Sequence, residues 1–254
     1  MIDSSSQELT KRRIEEAVEI IQDARHLVAF TGAGISVESG VSPFRGPGGL
    51  WNSYDPKYLE LSYLTRHPDK CWRILKEIFY EHFAKARPND AHQVLARLEH
   101  RGVLKAVITQ NIDNLHQVAG TERVIEFHGN TRDLRCLSCG EITAADPQVL
   151  EVLPPTCSCG GLLKPDCIFF GEAIPQKAWL ESRREMEAAD GVLIIGSTGE
   201  VYPAASLPHQ AAESGARIIE INPEESNFTQ AISDVFIPLP AGAAMNRIEE
   251  LLGR

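Results

Sequence analysis

The sequence predicts an α/β protein built on a doubly wound parallel sheet with a small second lobe, and three observations predict it. Continuous apolar runs of five to seven residues alternate with helical patterns. A glycine turn, "TGAGIS", closes the first of those runs. Two stretches break the rhythm, one rich in aromatic residues and one holding four of the six cysteines.

From Leu9 to Ala24, the residues Leu9, Ile14, Ala17, Val18 and Ile21 recur at helical spacing. The runs "HLVAFT" (26–31), "VLKAVIT" (103–109), "GVLIIG" (191–196) and "ARIIEIN" (216–222) read as strands buried on both faces. "ERVIEFHG" (122–129) and "DVFIPL" (234–239) are weaker strand patterns, and "AHQVLARLEHRG", "AWLESRREMEAAD" and "AASLPHQAAESG" read as helices between strands. A single domain, 1–254, follows. Its large lobe comes from 1–45, 89–131 and 166–254, and its small lobe from inserts 46–88, a loop and helical insertion, and 132–165.

A net charge of -10 with no block of five basic residues argues against a nucleic-acid surface. The opening "MIDSSSQELTKRRIEEAVEII" lacks the order of a signal peptide, and no apolar run approaches the ~20 residues of a membrane span. The expectation is a cytoplasmic protein with no membrane partner. In that compartment six cysteines read as metal ligands or free thiols. Cys71 and Cys167, standing apart, read as small buried apolar residues.

A glycine turn after a strand lets the backbone approach a pyrophosphate. "GAGISV" matches only half of G-x-G-x-x-G, because Val37 replaces the third glycine, and the acidic ribose partner ~20 residues on is missing. Alone, the turn reads as a nucleotide site or as a plain tight turn. The other strands also end in small polar residues: "QNIDNLH" (110–116), "STGE" (197–200) and "NPEE" from 222. Each could be a helix cap, but together they favour a ligand-binding edge. His128 in "EFHGN" reads as a structural hydrogen-bonder or as a catalytic base.

"RCLSCG" and "TCSCGG" give C-x2-C, a 17-residue spacer and C-x-C, with Gly140 and Gly160 following the pairs. Four thiolates, Cys136, Cys139, Cys157 and Cys159, suit one tetrahedral zinc ion and complete a small zinc-binding lobe. Four sulfurs leave no open position, so the expected metal is structural.

The ordered set "GAGIS-VESG-VSPFRG…GLW", "PNDAH", "TQNIDNLH", "FHG", paired cysteines, "FFGE", "GST…VYPAA" and "INPEE" resembles the sirtuin (Sir2) family of NAD-dependent protein deacylases, from about Val28 to Ala241. The resemblance implies that the sheet is Rossmann-like and that Gly32, Ala33, Gly34 and Ser36 hold the pyrophosphate, while Phe44, Arg45 and Trp51 belong to a cofactor loop over the nicotinamide ribose. It further implies that Gln110, Asn111, Ile112 and Asp113 form the nicotinamide and ribose pocket, and that Gly196, Ser197, Thr198, Asn222 and Ala241 line the adenosine side. His128 would be the general base, with Asn111 and Asp113 in the catalytic set. In the implied reaction the acyl oxygen attacks the ribose carbon and expels nicotinamide. His128 then assists a ribose hydroxyl in attacking the imidate carbon, which yields free lysine and O-acyl-ADP-ribose. An unperturbed histidine pKa of ~6.5 suits that task.

The implied partner is an acyl-lysine-bearing protein lying extended between "CIFFGE" (167–172) and "GEVY" (199–202), with Ile168, Phe170, Gly171, Glu172 and Val201 in contact. Family members that remove succinyl or malonyl groups carry Tyr and Arg where this chain has Leu75 and Ile78. The missing cation favours acetyl or longer neutral acyl groups. Gly196-Ser197-Thr198 replaces the commoner Gly-Thr-Ser and keeps both hydroxyls. ADP-ribosyl transfer or NAD hydrolysis on the same scaffold, and a zinc-ribbon interaction module, are the competing functions.

Overall fold

A computed structural model describes residues 4–44, 46 and 48–253. The strands are β1 Leu27–Thr31, β2 Leu104–Thr109, β3 Val124–Glu126, β4 Gly129–Cys136, β5 Ile142–Ala144, β6 Leu163–Cys167, β7 Gly191–Ile195, β8 Arg217–Ile221 and β9 Val235–Ile237. The α-helices are α1 Ser4–Asp23, α2 Leu61–Arg66, α3 Pro68–Leu75, α4 Asp90–His100, α5 Leu115–Val118, α6 Gln176–Ala188, α7 Ser206–Glu213 and α8 Ala241–Leu252.

Six strands form one parallel sheet in the order β3-β2-β1-β7-β8-β9. The chain winds outward one way from β1 and then returns to β7 to wind the other way, so the topological switch falls between β1 and β7. Alternate side chains of β1 feed two cores. Leu27 and Ala29 pack with Ile14, Leu95 and Met245 of α1, α4 and α8. Val28 and Phe30 pack with Met186 and Leu207 of α6 and α7. The period-2 alternation of a strand buries both faces, which is why these runs are apolar throughout.

The register aligns the strand ends. Thr31 lies opposite Thr109 on one side and Ile195 on the other, and Ile195 opposite Ile221. The segments beginning at Gly32, Gln110, Gly196 and Asn222 therefore leave the sheet side by side.

The second sheet is antiparallel, in the order β5-β4-β6. It shares an apolar cluster with the 46–88 stretch: Leu59, Leu64, Trp72, Leu75 and Phe79 meet Leu134, Leu163 and Phe169. Trp72 Nε1 donates to the Leu163 carbonyl at 2.9 Å, so the aromatic residues that broke the rhythm roof the small sheet. Cys71 and Cys167 are buried in this cluster as small apolar residues.

Several local expectations change. "ERVIEFHG" forms a strand only over Val124–Glu126. Gly129, at φ +73, turns the chain into β4, and a Cβ there would meet the Asp166 carbonyl at 2.1 Å. "GEVY" is not strand-like: it bends and turns from Gly199, φ +71, into Pro203. "CIFFGE" leaves β6 at Cys167, and Phe170 keeps only an isolated parallel bridge with Glu60. β4 and β6 each run across a boundary drawn from sequence, at 131/132 and 165/166.

Candidate active site

The site is built at the switch point. Gly32 N donates to the Ile195 carbonyl at 3.0 Å and Gly34 N to the Gly196 carbonyl at 2.8 Å. A Cβ on Gly34 would meet Gly196 Cα at 2.6 Å, and one on Gly196, at φ +65, would meet Ile35 N at 2.2 Å. These glycines let the turns after β1 and β7 touch backbone to backbone. The turn continues into a 3-10 helix, Ala33–Ser39, in which Ser36 is buried.

Ser36 joins the turns after β1 and β2. Its Oγ donates to Asp113 Oδ2 at 2.7 Å and accepts from Asn111 Nδ2 at 3.2 Å. Asn111 Nδ2 also reaches the Gly32 carbonyl at 3.1 Å, and its backbone N–H donates to Thr109 Oγ1 at 3.0 Å. Burial pushes the Asp113 carboxyl up, against the Leu115 N–H and the Ser36 hydroxyl that draw it down. Behind them, Thr31 Oγ1 donates to Thr109 Oγ1 at 2.9 Å and lies 2.9 Å from His116 Nε2. His116 sits 4.9 Å from the His92 ring, and burial holds both imidazoles neutral: His92 falls to about 4, His116 well below its ordinary value.

His128 follows β3. Its Nδ1 lies 3.1 Å from the Gln110 backbone oxygen, which can only accept. Nδ1 therefore carries the proton and Nε2 is left as a lone-pair base. Burial lowers the His128 pKa below 6.5, although the Gln110 carbonyl pulls it back up. Gln110 Nε2 donates to Ser197 Oγ at 3.0 Å, and Asn222 Nδ2 donates to the Ser197 carbonyl at 3.0 Å. Hydrogen bonds thus run from His128 across the ends of β2, β7 and β8.

Phe44 lies against Trp51, ring centroids 5.4 Å apart, and Trp51 against the half-exposed Phe170 at 6.3 Å. The loop after Gly40 and the 167–172 edge are thereby one aromatic surface, with Ile112 in the cluster beneath. Arg45 lies outside the described residues. Phe170 N donates to the Leu59 carbonyl at 2.7 Å and its carbonyl accepts from Leu61 N at 3.4 Å, while Ile168 N donates to the His128 carbonyl at 2.9 Å. Glu172 accepts from Phe169 N at 2.8 Å and pairs at 3.0 Å with Lys164 Nζ, a buried lysine that also reaches the Cys167 carbonyl at 2.7 Å. Gly171, at φ +93, is exposed between them. Leu75 and Ile78 are fully enclosed in the small-lobe core, Ile78 within a π-helical turn, Lys76–His82. Thr198 is exposed, Val201 is half-buried, and Ala241 opens α8, where Gly242 N is bound by Glu38 at 2.7 Å.

Cysteine sulfurs of 136 and 159 lie 3.6 Å apart, those of 139 and 157 3.7 Å, and those of 139 and 159 3.5 Å. All four fall within 4.8 Å of one another. Sulfurs about 2.3 Å from a tetrahedral zinc stand about 3.8 Å apart, so the set fits that ion. Backbone N–H groups of Ser138 and Cys139 donate to the Cys136 sulfur at 3.4 and 3.5 Å.

Sequence reasoning missed Lys164, Glu38 and the Thr31–His116 pair. Lys164 left one trace, a lysine inside an apolar strand run, "LLKPDC". The histidines of "PNDAH" and "DNLH" left none that separates a buried pair from two surface residues.

A doubly wound sheet with polar switch-point loops, a seated histidine and a tetrathiolate lobe defines an α/β nucleotide-dependent enzyme. The family model described as the Sir2 family matches residues 32–203. The chain is 46% identical over 241 residues to NAD-dependent protein deacylase 2 of Pyrobaculum aerophilum, covering 93% of this chain and 94% of that one. It is 45% identical to the NAD-dependent protein deacylase of Thermococcus kodakarensis, covering 94% of each. Among solved structures, a Sir2 complex with a p53 peptide and NAD+ superposes with a TM-score of 0.87 at 34% identity, covering 94% of this chain and 98% of that one. Another, with a deacetylated p53 peptide and 3'-O-acetyl-ADP-ribose, gives 0.88 at 34% identity over the same shares. The chain belongs to the Sir2 family, as its motifs led us to expect.

Proposed function

We propose that this protein is an NAD-dependent protein-lysine deacylase whose preferred acyl group is acetyl. Membership of the Sir2 family supports the activity. The observation that carries the chemistry is His128, with Nδ1 tied to the Gln110 carbonyl and Nε2 left as a base. NAD supplies a ribose carbon from which nicotinamide can leave. Gly32, Ala33, Gly34 and Ser36 would bind its pyrophosphate. Gln110, Asn111, Ile112 and Asp113 would enclose the nicotinamide ribose, with Phe44, Arg45 and Trp51 above it. Gly196, Ser197, Thr198, Asn222 and Ala241 would take the adenosine side. His128 Nε2 accepts a proton from a ribose hydroxyl, a transfer that contributes about 10²–10⁴ in rate.

The acyl-lysine peptide would lie extended along Ile168, Phe170, Gly171 and Glu172, with Val201 opposite. Phe170 already spends its backbone groups on Leu59 and Leu61, so the exposed Gly171 is the nearest free pairing partner. Where desuccinylating members of the family carry Tyr and Arg, this chain has the apolar Leu75 and Ile78, so those two positions offer no cation to an acidic acyl end, which supports neutral acyl groups. One zinc ion on Cys136, Cys139, Cys157 and Cys159 would hold the small lobe together. Six free cysteines, four of them gathered for a metal, support a cytoplasmic setting. Among the described residues no helix is long and apolar enough to cross a membrane.

Mass spectrometry of acetyl-, myristoyl- and succinyl-lysine peptides incubated with and without NAD tests the reading. Acetyl loss that requires NAD, with O-acetyl-ADP-ribose formed, is the expected result. Succinyl turnover faster than acetyl would overturn the acyl preference. Nicotinamide release without deacylation would move the activity to NAD hydrolysis or ADP-ribosyl transfer.

A further inference from the structure

We propose that Glu220 is a positioning residue that makes this site select NAD over NADP, acting through Asn222; the inference rests on the nucleotide reading above. Glu220 lies in β8 with no exposed surface, so it cannot touch a ligand. Its Oε1 accepts from Asn222 Nδ2 at 3.0 Å and Ser226 Oγ at 2.5 Å, and its Oε2 accepts from Thr229 Oγ1 and Ser233 Oγ, each at 2.8 Å.

The consequence falls on Asn222, at the carboxyl end of β8. Its Nδ2 has two hydrogens, one spent on Glu220 and the other on the Ser197 carbonyl at 3.0 Å. Turning the amide over would set Oδ1 against two acceptors at once, a carbonyl and a carboxylate. The amide is therefore locked, and Oδ1 has no partner among the described residues. It presents an acceptor to whatever binds there.

An acceptor wants a donor, and a ribose 2'-hydroxyl is one. A 2'-phosphate offers only acceptor oxygens and negative charge, and it would meet Oδ1 with the buried Glu220 carboxylate directly behind. The segment that carries Asn222, residues 218–246, contains neither lysine nor arginine, and Glu224 and Glu225, two and three residues on, are exposed acids. The acid that a dinucleotide fold ordinarily offers the ribose directly is missing from its usual place after the second strand. Here an acid on another strand does the same work at one remove, through an amide.

Calorimetry of NAD and NADP binding to the zinc-loaded full chain gives a readout independent of turnover. Wild type is expected to bind NADP at least about tenfold more weakly than NAD. In Glu220→Leu, and in Glu220→Gln, which keeps the shape, that ratio should narrow at least threefold. Thr229→Val removes one donor from the Glu220 carboxylate without touching Asn222, so it should lower the melting temperature and leave the ratio alone. An unchanged ratio in both Glu220 variants, or an equal change in Thr229→Val, would reduce Glu220 to a loop anchor and overturn the proposal. Equal affinity of wild type for both nucleotides would overturn it alone. Failure to bind either nucleotide would overturn the nucleotide reading as well.

Discussion

The Nδ1 of His128 sits 3.1 Å from the backbone oxygen of Gln110, the first residue after β2. One hydrogen bond thus joins the proposed base to Gln110, whose side chain also holds Ser197. It fixes the tautomer, which a sequence cannot specify.

The pH dependence follows from that bond and from burial. With burial holding its pKa below 6.5, His128 is mostly neutral at pH 7, the form that the proposed role as a base requires. Deacylation should rise with pH through a midpoint below 6.5 and be flat above about pH 7. His128→Ala should lower kcat about 100-fold or more while the calorimetric Kd for NAD stays within a few-fold. A variant that keeps full deacylation would remove His128 from the mechanism.

Stability should carry its own pH signature. His92 is buried without exposed surface and titrates near 4, below its ordinary 6.5. The unfolded chain takes up the proton first as pH falls. The stabilisation is therefore complete above pH 6.5 and lost between 6.5 and about 4. The loss is of the order of 3 kcal/mol. Urea midpoints should fall over that window in wild type and fall less in His92→Asn; parallel curves would assign the acid sensitivity elsewhere.

Lys164 and Glu172 form a largely buried pair beneath the proposed peptide edge, and Lys164→Met should cost about 2–4 kcal/mol by leaving the acid unpaired. Because Glu172 also holds the Phe169 N–H, the edge should loosen. KM for an acyl-peptide is expected to rise while the Kd for NAD holds. A rise in both together would mean general unfolding rather than a displaced edge.

Zinc removal should act on the small sheet first. Elemental analysis is expected to give one zinc per chain, and chelation to lower Tm by roughly 10 °C. Cys157→Ser should behave like the chelated protein. A Cys157→Ser chain that holds full zinc and an unchanged Tm would remove that sulfur from the site.

How much of this was legible beforehand depends on the distance over which each feature is encoded. β1, β2, β7 and β8 could be read because a strand buried on both faces must be apolar at every position. Gly32, Gly34 and the cysteine pairs could be read because spacing of two or three residues sets a turn or a knuckle. "GEVY" was misread as extended because its apolar residues carry no sign of the backbone bend at Gly199. The pairings of Ser36 with Asp113, Lys164 with Glu172 and Glu220 with Ser226, Thr229 and Ser233 involve hydrogen bonds that only packing selects among many donors. The sequence by itself determined the kind of sheet, the metal knuckles and the set of polar residues at the strand ends. Only the tertiary structure decided which of those residues meet, which imidazoles stay neutral and which amide is locked, because those properties depend on burial and on partners from distant parts of the chain.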